Sequence, residues 1–274
     1  KTRGNTYFEE GSEASSIPIV WSKYGIVPLE AYPGKPSTQA YHNHEEMKEK
    51  MMTYLDSIKE SNSWNEELVA KGIKNILNRY MGAPPTEFTY QGKKYNPQAF
   101  LKEEVKLNMN DYYNFMSTLS ADFMQKSELV EADNWRHEDD YYNLNCNDFT
   151  TTLLDALKKD YSVCICGDIS EPGIDSFNEG AYIPTFDIPQ EFINDDARQL
   201  RLSDGSTTDD HCMHAVGWYF DGKYNWFLFK DSGAGGFDGP NKGYRFIRED
   251  FVKMKMMNIM MHKNAAPILN KIIK

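Results

Sequence analysis

The sequence is short of positive charge. It carries 30 Lys and Arg against 41 Asp and Glu, a formal net charge of -11 over 274 residues. Nucleic acid and anionic membranes are held by clustered Lys and Arg, so neither is expected as a partner, and the acidic surplus reads as a solubility feature. No apolar run approaches the ~20 residues that a membrane span needs, and no leader pattern marks a signal peptide. Cysteine is scarce: Cys146, Cys164, Cys166 and Cys212 are the only four. None is spaced C-x-x-C, which removes zinc-ribbon and dithiol redox motifs. Cys164 and Cys166 lie two apart in an apolar run and read as small core or pocket residues; they demand no particular compartment. There is no G-x-S-x-G elbow, no internal repeat and no low-complexity tract. The first residue is Lys1, not Met, and the sequence reads as a processed or trimmed piece of a longer chain.

What is present divides into a helix-rich first part and a strand-rich second part. "ASSIPIVWSKYG" (14–25) predicts a short helix ended by Gly25. Residues 45–82 carry Met47, Met51, Tyr54, Leu55 and Ile58, then Leu68, Ile73, Ile76 and Leu77, at helical spacing, up to a stop at Gly82 and "PP". "FTYQGKKYN" predicts a hairpin around Gly92, and "PQAFLKEEVKLNMNDYYNFMSTL" a return to helix. From about residue 143 the pattern changes. "NDFTTTLLDALKKDY" is a helix capped by Asn147 or Asp148. "SVCICGDI" is a buried strand, and "DISEPGIDSFNEGAYIP" a long acidic loop that does not match a calcium-loop spacing. "HAVGWYF", "YNWFLFK", "GYRFI" and "MNIMMH" follow as strands. The expectation is an α+β chain of two subdomains, 1–142 and 143–274, with a helical insertion over about 45–135.

The chemistry gathers on one predicted hairpin. The Asp221-Gly222 dipeptide is a strong turn signal. Counting back from it with period two puts His214 opposite Phe229 and Asp231 on the same face, in the diagonal position that long side chains can bridge. An acid on one imidazole nitrogen fixes the tautomer and leaves the other nitrogen as a base. The same spacing also suits a merely structural His–Asp pair under a glycine-rich loop. A metal site is the competing reading of the crowd Asp209, Asp210, His211, Cys212 and His214, but the odd spacing of His211 and His214 sends them to opposite faces of a strand, and no second cluster supplies ligands. His42 and His44, in a polar loop, read as surface residues. No cysteine offers itself as a nucleophile: Cys212 is a strand neighbour of His214, Cys146 precedes a helix cap, and Cys164 and Cys166 are apolar-run residues whose thiols burial would keep protonated.

At these residues the sequence resembles a known family. "MHAVGWYF" and "YNWFLFKDSGAGGFDGPNKGYRFI" resemble the histidine strand and following strand of papain-like cysteine peptidases. "WSKYGIVPLEAYPG" (21–34), "YSVCICGDISEPG" (161–173) and "MNIMMHKNA" (257–265) are similar to the bleomycin hydrolase and aminopeptidase C branch, especially its bacterial members. The resemblance implies a papain-like fold with an antiparallel, barrel-like second half, and peptide hydrolysis by a thiolate–imidazolium pair without a cofactor. His214 would be the base, and Asp231 would stand where the family has an orienting Asn; the Trp that usually follows is replaced in "KDSGAG". The nucleophilic Cys and the oxyanion Gln would lie upstream of Lys1, on a preceding segment or separate chain. Gly11 and Ser12 would bind substrate backbone, and Cys164, Met213 and Ala215 would line the pocket beside a substrate side chain. In that branch a C-terminal tail enters the cleft; here "HKNAAPILNKIIK" stands in its place. The resemblance further implies a peptide partner, leaves room for a homo-oligomer, and leans towards export in a bacterium. The alternative is a catalytically inactive binding or scaffold protein on a peptidase fold.

Overall fold

The computed structural model describes residues 11–170 and 172–273. They make an α+β structure that divides into two compact units: Gly11–Pro18 with Met109 onward, and Ile19–Asn108.

The smaller unit is helical. α1 (Ser16–Tyr24) leads into it and stops at Gly25, which adopts φ +75° and passes so close to Pro97 that a side chain has no room. α2 (Glu45–Glu60) and α3 (Glu66–Met81) pack together, with Tyr54 of α2 laid on Gly72 of α3. Asn65 caps α3 by accepting the Leu68 N–H at 3.0 Å, and paired glutamates in the first turn of each helix complement its dipole. β1 (Phe88–Tyr90) and β2 (Lys93–Tyr95) form the expected hairpin, with Gln91 and Gly92 both at positive φ. α4 (Pro97–Ala99) continues as a π-helical turn, Phe100–Val105, and Phe88, Tyr90 and Tyr95 pack around Phe100.

Helix was expected to persist through residue 119, but it ends at Val105, where Lys106 turns left-handed. The aromatic run that follows becomes β3 (Tyr112–Met116). Pairing on both sides decides this, because β3 lies between two other strands of a large sheet and Phe115 and Met116 are fully buried there. The sheet-bearing unit therefore takes in residues from Met109 onward.

That unit is built on ten strands in the order β4-β5-β3-β12-β6-β9-β10-β11-β8-β7. Besides β3 they are β4 (Lys126–Ser127), β5 (Tyr141–Asn143), β6 (Val163–Gly167), β7 (Ile174–Asp175), β8 (Gly180–Ala181), β9 (His211–Phe220), β10 (Asn225–Lys230), β11 (Tyr244–Arg248) and β12 (Met256–His262). The loop expected over 168–184 thus carries two short strands. α5 (Cys146–Lys158) is capped by Asn145, which accepts the Asp148 N–H at 2.8 Å; the cap falls before the two candidates because the apolar period already starts at Cys146. α5 and α7 (Glu249–Lys255) cover one face of the sheet. Phe149, Leu153, Leu157, Phe251 and Val252 meet Val163, Ile165, Met213, Ala215, Phe227 and Phe229 in the main core. α6 (Asp195–Asp204) sends the buried Arg198 to the carbonyls of Ser117, Lys253 and Met256, and burial draws that guanidinium down to about 10. Ala265, Ala266, Ile268 and Leu269, the last two beside or within α8 (Leu269–Ile272), join the same core. The other face carries a smaller cluster of Ala14, Cys164, Cys166, Cys212 and Met260. Cys166 and Cys212 sit directly opposite each other on β6 and β9 and are joined as a disulfide.

Candidate active site

The β9–β10 hairpin turns through Asp221–Tyr224, where the Asp221 carboxylate accepts the N–H groups of Lys223 and Tyr224. Phe220 then pairs with Asn225, Tyr219 with Trp226 and Gly217 with Leu228. Continued unbroken, this register would set His214 against Asp231. It is broken: Phe229 pairs with Ala215 and Lys230 with His214. Val216 is the extra residue of a β-bulge, and one extra residue reverses which face every later side chain takes. Asp231 thus falls on the face of Met213 and His211, diagonal to His211.

The expected His214–Asp231 pair is accordingly corrected. The imidazole on Asp231 is that of His211, with Nε2 at 2.7 Å from Oδ1. His214 is exposed, opposite Lys230, and its imidazole is pushed below the usual histidine range by partial burial and the Lys230 charge. Met213 and Ala215 are corrected by the same parity: both are buried in the main core under α5 and α7 and line no open pocket. His211 was set aside in the sequence as one member of a crowd. Its signal was available only to a reading that allowed for the bulge.

Asp231 is 3 % exposed and fully engaged. Oδ1 also accepts the Gly233 N–H at 2.7 Å, and Oδ2 accepts from Arg245 Nε at 2.9 Å. Arg245, itself buried on β11, donates in turn to Ser176. The glycine-rich loop makes this packing possible: a Cβ on Gly236 would lie 3.0 Å from the carboxylate and one on Gly233 3.1 Å. Burial alone would raise the Asp231 carboxyl. The hydrogen bonds from His211 and Gly233, the charge of His211 and the Arg245 bond outweigh it and hold the group below the usual carboxylate range. An ionised acid is thereby fixed behind Nε2. The His211 ring remains partly open to solvent, and its Nδ1 has no protein partner among the described residues.

The other expected positions take no part in the hydrogen bonding of the His211–Asp231 pair. Gly11 is exposed at φ +112°, beside Asp133, and the Ser12 hydroxyl is hydrogen-bonded to Ser16. Cys164 lies on the second face of the sheet, half-buried, next to Cys166 and Cys212. None of the four cysteines is a poised thiolate. Cys166 and Cys212 are joined. Burial and the charges of Glu13 and Asp209 push the Cys164 thiol up to about 12, and burial and Asp195 raise Cys146. The crowd read as a possible metal site does not converge: His211 serves Asp231, His214 faces the other way, and Asp210 accepts the Ile169 N–H. Glu13 does approach both disulfide sulfurs, with the three ligand atoms within 4.8 Å of one another.

With this geometry in place, comparison with known proteins is informative. The model of the Peptidase C1-like family matches residues 9–271. The crystal structure of PepW from Lactobacillus rhamnosis HN001 (DR20) superposes with a TM-score of 0.69 at 19 % identity, over 96 % of this chain and 65 % of that one. The chain thus spans about 65 % of the length of that structure. No curated protein matches the sequence. The α+β fold is of the papain-like, cysteine-peptidase type.

Proposed function

The chain belongs to the Peptidase C1-like family, and from that premise we propose that it carries the base and the orienting acid of a cysteine peptidase, with His211 as base and Asp231 as orienter. The observation that carries this reading is the 2.7 Å bond from His211 Nε2 to Asp231, which leaves Nδ1 free on a partly exposed ring. A cysteine thiol brought to Nδ1 transfers its proton there. The resulting imidazolium is stabilised by the carboxylate behind it, and the thiolate is the nucleophile that attacks a peptide carbonyl. As the tetrahedral adduct collapses to the acyl-enzyme the same Nδ1 proton passes to the leaving amine, and water, giving its proton to Nδ1, then hydrolyses the thioester to release the acid and the thiol. Arg245 keeps Asp231 ionised and in place. Base catalysis of this kind typically contributes about 10²–10⁴-fold.

Since the chain's own four cysteines are paired or held protonated, the nucleophile in this reading comes from sequence preceding Lys1, as a segment of the same polypeptide or a separate chain. The Cys166–Cys212 disulfide fits an oxidising compartment, in line with export. The same lack of a poised thiol favours a second reading, a peptidase fold kept for binding alone.

The full-length protein decides between them. A thiol-reagent-sensitive peptidase activity is expected, lost by at least 10²-fold in His211→Ala and retained in His214→Ala. Full activity in His211→Ala, or an upstream sequence without cysteine, removes the peptidase reading.

A further inference from the structure

The second face of the sheet holds a polar group that this mechanism does not use. Glu13, in the Gly11–Pro18 segment, is 2 % exposed, and Asn258, on β12, is 1 % exposed. The Asn258 amide nitrogen donates to Glu13 Oε2 and to Asp209 Oδ2, each at 2.8 Å. The two carboxyl groups are also within hydrogen-bond reach of each other. Two acceptors then remain buried with no hydrogen-bond partner, Glu13 Oε1 and Asn258 Oδ1. Glu131 and Asp133 from the loop before β5 add more acid, and the buried Tyr141 hydroxyl of β5 and the Cys164 thiol of β6 are also neighbours. Burial, reinforced by Asp133 and Glu131, brings the Glu13 carboxyl up to about 7 despite the bonds from Asn258 and Asp209, and burial and Glu13 raise that of Asp209. Two of its acceptors lack donors and its acids repel one another.

We infer that Glu13, Asp209 and Asn258 form a receptor for a single cationic group of a peptide, a primary ammonium or a guanidinium, beside the His211 imidazole. That the ligand is a peptide rests on the peptidase reading; that it is cationic rests on the two acids and the unmatched acceptors. The place is right for a substrate side chain. Glu13 lies within 4.8 Å of the sulfur of Cys212, the residue after His211, and Asp209 stands two residues before His211. An incoming cation offers N–H donors to the two unmatched oxygens and displaces the proton that the acids share. A metal ion is less well served, since the amide N–H groups already occupy Glu13 Oε2 and Asp209 Oδ2 and the nearby sulfurs are bonded to each other.

Calorimetric titration of the protein tests this with blocked peptides that differ at one residue, lysine or arginine against norleucine. The cationic peptides are expected to bind at least 10-fold more tightly and, near pH 7, to release protons in proportion to buffer ionisation enthalpy. Glu13→Gln and Asp209→Asn should erase the preference without changing norleucine affinity. Equal binding of lysine and norleucine peptides to the unmodified protein overturns the inference and needs no variant to fold. So does a preference that survives Glu13→Gln, or stoichiometric Zn²⁺ or Ca²⁺ binding that Glu13→Gln abolishes. The readout is binding, so His211→Ala should keep the preference. Activity in that variant would defeat the peptidase reading and leave the cation receptor to stand or fall on the titration.

Discussion

Asp231 holds the His211 ring and the Arg245 guanidinium at once, and its loss has a definite cost. Asp231→Ala strands the Arg245 guanidinium, 6 % exposed at its side chain, and breaking a buried pair from one side typically costs about 3–5 kcal/mol; urea unfolding at pH 7 should show it. The folded carboxyl lies below its ordinary value of 3.8, so its contribution is present above about pH 4 and is lost as the pH falls through the lower folded value. Glu13 has the opposite sign. Its carboxyl moves from 4.5 to about 7 on folding, so the folded state binds the proton more tightly and stability declines as the pH rises between those values. Glu13→Gln should therefore raise Tm at pH 8, by the equivalent of a few kcal/mol, and leave it little changed at pH 4.5. At this scale the sequence was half legible. Asp231 could be picked out from the strand and the glycine loop after it. His211 could not, because its neighbour His214 has the same chemistry and only the backbone between them decides which one meets the acid. Glu13, Asp209 and Asn258 are brought together from three distant segments, and no local spacing announces such a group.

Among the elements, β9 shows where periodicity stops being a guide. The strand, its partner and the turn were all readable from the alternation and the Asp221-Gly222 dipeptide. A bulge leaves no comparable mark, since Val216 is as good a strand residue as its neighbours. Deleting Val216 should remove the bulge without moving the pairs on either side of it: Gly217 stays opposite Leu228, Ala215 opposite Phe229 and His214 opposite Lys230, so His211 keeps its place beside Asp231. The deletion should therefore retain thiol-dependent peptide hydrolysis in the full-length protein, whereas a one-residue slip of Met213–Ala215 would turn both out of the core, at about 1.5–3 kcal/mol for a large apolar side chain, and would show as a lower unfolding temperature by scanning calorimetry and lost hydrolysis. The stretch at 106–119 was misread for a related reason. Its tyrosines and phenylalanine suit either a buried helix or a strand, and the pairing of β3 with β12 and β5, set by residues far along the chain, settles the matter.

For the molecule as a whole, the fold class and the helical smaller unit followed from composition and period, whereas the extent of the sheet did not. Its β3–β5 strands are short and are recruited by β12, near the other end of the sequence. The Cys166–Cys212 bond closes a loop of 46 residues. Loop-closure entropy alone makes such a link worth about 4 kcal/mol, so mild reduction, or Cys166→Ala with Cys212→Ala, should lower Tm with the secondary structure intact by circular dichroism. The unpaired residue at 216 has a longer reach than its size suggests. Kinship among chains of this type is usually traced by sliding one motif over another, yet here the working ring is told from an idle one by odd-and-even counting along a ribbon. A natural one-residue deletion between Met213 and Phe220 should accordingly fall at the bulge, where the pairs on either side survive it, and any other should be matched by a compensating one on the partner strand.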